Sequence, residues 1–147
     1  MRTLFSLAVV LVASGCVDEA VGPPAVIGQY RLTSVDGRSL PLLQFATTNC
    51  DNWLVGGALS LLPDNAFLLG SRDSLDCSRA GAPPTVSWSA SAGSFTLQDG
   101  RLTLVPDGQV NGARYVGTVQ GEVILVTFVT DQVSIPERPV SRYERLP

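Results

Sequence analysis

The 147-residue sequence contains no histidine and no lysine. Histidine is the commonest general base at neutral pH and the commonest metal ligand, so its absence excludes the Ser-His and Cys-His pairs of many hydrolases. Ten arginines face thirteen carboxylates, which gives a net charge of −3. An acidic chain with scattered arginines is not expected to bind nucleic acid. We therefore predict a protein that is not an enzyme and that holds neither a metal ion nor a cofactor.

The sequence also lacks an apolar run of the length that a membrane-spanning helix requires, which is about 20 residues. Its longest mostly apolar stretch, residues 4–13, follows Arg2 and leads into the segment ASGC, which ends at Cys16. One positive charge, a short apolar core and small residues describe a secretory signal. Because a cysteine follows the small residues, the segment resembles the signal of bacterial lipoproteins. An ordinary secretory signal with a chance cysteine at its cleavage site is the alternative.

The resemblance to bacterial lipoproteins implies a membrane anchor and a location. Residues 1–15 would be removed as a signal peptide, and Cys16 would carry a diacylglyceryl thioether and an acylated amino group. Two or more acyl chains hold a protein stably at a membrane. Residues 16–27 are acidic and then rich in Gly and Pro, which predicts a lipidated tether. Val17 replaces the Asp that favours inner-membrane retention in this family, so we expect the cell envelope, at the outer membrane.

Residues 28–147 are predicted to form one all-β domain. Short apolar runs alternate with polar residues and are separated by turn signals, and no segment shows ten residues of helical periodicity. We count about eight antiparallel strands, which favours an up-and-down barrel, with a β-sandwich as the alternative. The clearest turns are pairs that end in glycine: Asp36-Gly37, Asp99-Gly100, Asp107-Gly108 and Gln120-Gly121.

The opening of this domain is similar to that of small lipocalin-like domains found in bacterial lipoproteins. Those domains also contain a segment like GALSLLPDNAF and a late hairpin like GTVQGEVIL, both of which occur here. The resemblance implies a lipocalin-like barrel and carries little information about activity. The opening residues that match are Gly28, Tyr30, Leu32, Ser34, Val35, Asp36, Gly37, Leu40 and Pro41.

Two further cysteines, Cys50 and Cys77, are predicted to form a disulfide, because paired cysteines in an exported chain are usually oxidised. The bond would close a loop of about 28 residues and stabilise the fold by about 3.5 kcal/mol. A thiolate metal site is the alternative, although the chain has no Cys-x-x-Cys pair. Asp51, Asp73 and Asp76 flank these cysteines and could together bind calcium, but acidic residues in loops are far more often simply solvated.

We weigh two functions for the domain. The first is a non-enzymatic interaction module for another envelope or extracellular protein, which requires a filled interior and an exposed apolar patch, for example at the loops 42–52 and 72–84. Residues 122–130 are apolar on both faces, so either the 42–52 segment covers them or they form such a patch. The alternative is a small apolar ligand inside the barrel, which requires an interior larger than its own side chains fill. Aromatic residues that could line that interior, or simply fill it, are Trp53, Trp88, Phe95, Tyr115 and Phe128.

The anchor is testable with one substitution. Cys16→Ser removes the only thiol that the lipid can use, so we expect the variant to incorporate no labelled fatty acid and to keep its signal peptide. The measurement is metabolic labelling followed by mass spectrometry of the intact protein. Labelled lipid on the Cys16→Ser protein would show that another residue carries the anchor.

Overall fold

The computed structural model describes residues 26–109, 111–131 and 138–147. The expected signal peptide, the lipid-attachment residue Cys16 and most of the tether therefore lie outside the described residues. Within the described ranges, no helix has the length and apolar character needed to cross a membrane.

The described part of the chain is almost entirely β-structure. One short 3-10 helix, Ser78–Ala80, interrupts it between β5 and β6. The strands are β1 (Gly28–Val35), β2 (Arg38–Ser39), β3 (Leu42–Ala46), β4 (Asp51–Leu61), β5 (Ala66–Asp76), β6 (Thr85–Gln98), β7 (Arg101–Pro106), β8 (Arg114–Gln120), β9 (Val123–Val129) and β10 (Val140–Arg145).

Eight of these strands close into a barrel. From β4 to β10 each strand pairs antiparallel with the next, and β1 pairs with both β10 and β4. The sheet is therefore one continuous ring with up-and-down order, which confirms the predicted barrel and rules out the sandwich. The short strands β2 and β3 lie where β1 and β4 diverge: the second half of β4 pairs with β1, and its first half pairs with β3.

Two of the predicted Asp-Gly turns have the backbone that tight hairpins require. Asp36 and Gly37 have φ values of 50° and 74°, and Asp99 and Gly100 have 51° and 75°. Positive φ at both central positions is the mark of a type I′ turn, whose twist matches that of the flanking strands. These turns join β1 to β2 and β6 to β7.

One end of the barrel is filled by its own side chains, and we call it the closed end. It includes the β4–β5, β6–β7 and β8–β9 turns. The Tyr30 hydroxyl donates a hydrogen bond to the Val26 carbonyl at 2.7 Å, and the Arg145 guanidinium lies 5.9 Å from the centre of the Tyr30 ring. The largest fully buried side chains of the described residues are Tyr30, Leu59, Leu61, Phe67, Leu102, Leu104 and Ile124.

The structure corrects the expectation for segment 42–52. Its strand β3 pairs with β4, on the edge that faces β1. Strand β9 lies between β8 and β10, so β10 and β1 separate it from β3. The 42–52 segment therefore does not cover the outer face of β9. Barrel closure decides this, because β3 fills the gap that β1 and β4 leave between them.

A close approach between strands at Gly93 supports the curvature of the barrel. Gly93 is buried on the inward face of β6, opposite Phe67 on β5. A Cβ atom there would overlap the carbonyl oxygen of Val105 and come within 2.8 Å of the Phe67 ring. Glycines at such positions let a sheet bend sharply enough to close.

We expect Gly93→Ala to lower the free energy of unfolding by about 1–3 kcal/mol or more, because backbone atoms must move to admit the methyl group. Gly56→Ala is the matched control: its Cβ would lie 3.8 Å from Arg72 Cβ, an ordinary contact. Its effect should stay within about 0.5 kcal/mol. Urea unfolding of both variants gives the comparison. Equal stabilities would refute the close approach at Gly93.

Candidate functional site

The opposite end of the barrel, which we call the open end, contains a cavity of about 360 Å³. This volume lies within the range of small-molecule sites, which runs from about 300 to 1,000 Å³. Seven strands contribute to it, so it belongs to the barrel interior and not to a single loop. The residues that line it are Leu32, Gln44, Leu54, Leu69, Gly70, Ser71, Ser89, Ala90, Ser91, Tyr115, Ser141 and Tyr143.

Small inward side chains on β6 explain why space remains at this end. Side chains alternate between the two faces of a strand, so Ser89 and Ser91 share the inward face with Gly93 and Phe95. Phe95 is buried in the core of the closed end, whereas the two serines line the cavity. A serine fills far less of the interior than a leucine or phenylalanine, and the barrel is consequently packed at one end and hollow at the other.

The cavity has an apolar floor and a polar wall. Leu32, Leu54 and Leu69 are buried and form the apolar part. On the wall, the Ser71 and Ser89 hydroxyls lie 2.7 Å apart across β5 and β6. The Ser71 hydroxyl also donates a hydrogen bond to Asp73 Oδ2 at 3.2 Å. We call Ser71 and Ser89, together with Asp73 behind Ser71, the polar wall.

Two tyrosines complete the lining without adding charge. Burial raises the pKa of the Tyr115 phenol above its ordinary value. Burial also raises the pKa of the Tyr143 phenol, and the nearby Tyr115 raises it further. Both phenols therefore remain protonated at neutral pH. The Tyr115 ring is held by Phe128, whose ring centre lies 5.1 Å away at an angle of 58°.

The five aromatic residues predicted from the sequence do not converge on one site. Tyr115 lines the cavity, and Phe128 contacts it while remaining 40% exposed. Phe95 is buried in the core. Trp53 is half-buried, opposite Ser74. Trp88 is 70% exposed, with Arg72 beside its ring.

Residues that the sequence analysis did not single out form most of the cavity, among them Tyr143 and the inward serines of β5 and β6. The signal that could have found them is the run SWSASAG, residues 87–93. Small residues at every second position of a long strand leave space wherever that face turns inward.

Cys50 and Cys77 are joined as a disulfide, with their sulfur atoms 2.09 Å apart. The bond links the β3–β4 loop to the end of β5 at the rim of the open end. Two carboxylates next to these cysteines each have a different partner. Asp51 forms an ion pair with Arg79, and Asp76 accepts a hydrogen bond from the Ser78 amide at 2.9 Å. Across the described ranges, no three His, Cys, Asp or Glu residues cluster as metal ligands would.

A second depression, of about 470 Å³, lies on the outer surface of β7–β10. It is larger than the interior cavity, but it lies on the outside of the barrel and the strands do not enclose it. Its lining side chains are outward residues of four neighbouring strands and include Arg101, Val116, Thr118, Leu125, Thr127 and Val140. It has no equivalent of the hydrogen-bonded polar wall inside the barrel, so we take the interior cavity as the candidate site.

No family model and no curated protein matches the sequence. Among solved structures, the chain is similar to fatty-acid-binding protein 1 from Echinococcus granulosus, with 14% sequence identity and a TM-score of 0.40. The similarity covers 84% of this chain and 98% of that chain.

The raised pKa of Tyr143 predicts how stability depends on alkaline pH. Unfolding returns the phenol to its ordinary pKa of about 10, so the unfolded chain loses this proton first. The free energy of unfolding is therefore unaffected by this group below about pH 10 and falls as the pH rises above it. We expect Tyr143→Phe to reduce that alkaline fall. Urea unfolding at about pH 8, 10 and 11 checks it, and parallel pH profiles for the two proteins would contradict it.

Proposed function

We propose that this protein is a non-enzymatic binding protein that takes a small, mainly apolar ligand into the open end of its barrel. The observation that carries the proposal is the cavity of about 360 Å³ inside a barrel whose other end is filled by its own side chains. Eight-stranded barrels of this size either fill their interior or hold one small ligand. Here the apolar floor can bury the apolar part of a ligand, and the polar wall can orient its polar group.

The sequence supports a lipid-anchored location for this binding activity. With a lipid on Cys16 and the tether of residues 16–27, the barrel would work beside a membrane, at the outer membrane of the cell envelope. Such a position suits the capture or delivery of a partly apolar molecule. The absence of histidine from the whole chain favours binding over hydrolysis of that molecule.

Octan-1-ol is a suitable neutral probe for the cavity. A water molecule occupies about 30 Å³, so the cavity has room for about 12 such groups, and octan-1-ol has nine non-hydrogen atoms. Burial of its methylene groups at about 0.8 kcal/mol each predicts a Kd on the order of 0.1 mM. Isothermal titration calorimetry with the soluble domain measures this value.

A pair of substitutions on β6 separates cavity binding from surface adsorption. Ser91→Phe fills the cavity and should weaken octan-1-ol binding at least tenfold. Ser94 is exposed on the outer face of the same strand, so Ser94→Phe should leave the Kd within about twofold. Equal binding by both variants, or no binding by the unmodified domain, would overturn the proposed function.

The outer face of β5 and β6 favours a second candidate, the interaction module. Leu68, Val86 and Trp88 project outward there and are 50%, 56% and 70% exposed. Exposed apolar patches of this kind mark contact surfaces. If the patch binds an envelope protein, Trp88→Ser should reduce co-purification of that protein, whereas Val105→Thr on β7 should not. Unchanged co-purification with Trp88→Ser would remove this candidate.

A further inference from the structure

The carboxylate of Asp73 carries information about the ligand. Asp73 lies on the inward face of β5, one inward position nearer the rim than Ser71, and its register partners are Leu54 and Ser87. Its Oδ2 atom accepts the hydrogen bond from Ser71. Its Oδ1 atom is buried and accepts no hydrogen bond from the described residues. A buried carboxylate oxygen is costly unless a donor reaches it.

The hydrogen bonds of the polar wall leave acceptors facing the cavity. A serine hydroxyl has one proton to donate and two lone pairs to accept with. Ser71 uses its proton for Asp73, so the contact of 2.7 Å between Ser71 and Ser89 requires Ser89 to be the donor. Both protons of the wall are then committed within it. What remains for a ligand at the cavity surface is lone pairs on Ser71 and Ser89, with the Asp73 carboxylate directly behind Ser71.

No arginine is among the residues that line the cavity. Three described arginines near the open end have partners on the outside: Arg79 pairs with Asp51, Arg114 pairs with Asp131, and Arg72 lies over the Trp88 ring. The two tyrosines that line the cavity are neutral. None of the residues that line the cavity is charged, and Asp73 is the charged residue hydrogen-bonded to one of them, Ser71.

We propose that the polar wall binds the protonated amino group of an amphipathic ligand, with the apolar part of that ligand on Leu32, Leu54 and Leu69. An ammonium group carries a positive charge and several N–H donors, which matches a carboxylate and a row of lone pairs. A fatty-acid carboxylate would instead face a like charge, and the wall has no uncommitted donor to offer it. The inference deepens the proposed function and rests on it.

Three ligands of equal chain length test this selectivity on the unmodified domain. Calorimetry at neutral pH compares octylamine, octan-1-ol and octanoate. We expect octylamine to bind about tenfold or more tightly than octan-1-ol, and octanoate to bind most weakly. Octanoate binding as tightly as octylamine, or octylamine binding no better than octan-1-ol, would overturn the inference while leaving the proposed function standing. Failure of all three to bind would overturn both.

Asp73→Asn assigns the preference to this carboxylate, because it removes the charge and keeps the shape. The affinity ratio of octylamine to octan-1-ol should fall to about one, with octan-1-ol binding unchanged within about twofold. Glu122→Gln removes an exposed carboxylate from the turn after β8 at the closed end and should keep the full ratio. A ratio unaffected by Asp73→Asn would show that Asp73 does not recognise the amine.

Discussion

The pairing of β1 with both β10 and β4 is the constraint on which the rest of this structure depends. Once the sheet closes, every inward side chain shares one enclosed interior of limited volume. The sizes of those side chains then decide what the interior becomes. Large residues such as Tyr30, Phe67 and Ile124 fill the closed end. Inward serines at the other end leave the cavity in which we place the function.

Closure could be predicted from the sequence better than the site could. The Asp36-Gly37 and Asp99-Gly100 pairs form tight hairpin turns. Such turns can be predicted without knowledge of tertiary contacts, because the residues of the turn itself determine its backbone conformation. The face on which each side chain lies is a different matter, because β-bulges shift the alternation. Register shifts occur between Leu54 and Gly56 on β4 and between Leu32 and Ser34 on β1. After such a shift, the pattern of alternating residues no longer says which set faces inward.

Trp88 shows that face assignment also fails on a strand whose register is unbroken. A pattern such as SWS predicts a buried tryptophan between two exposed serines, since burial of an aromatic ring is strongly favourable. In the barrel the order is reversed, because Trp88 pairs with Arg72 on the outer face and Ser89 pairs with Ser71 on the inner one. The open half of β6 is therefore polar inside and apolar outside. Local conflict with burial preference is expected at functional sites, where binding competes with stability.

A hollow open end needs support that a packed core supplies elsewhere. Inward serines bury less apolar surface than leucines would. The buried Oδ1 atom of Asp73, which accepts no hydrogen bond from the described residues, adds a further cost. The Cys50–Cys77 disulfide lies at the rim of this same end and closes a loop of about 28 residues, for which chain entropy gives about 3.5 kcal/mol. The covalent link thus lies at the end of the barrel where side chains fill the interior least. Because it acts largely on the unfolded chain, it restores stability without placing any atom in the cavity.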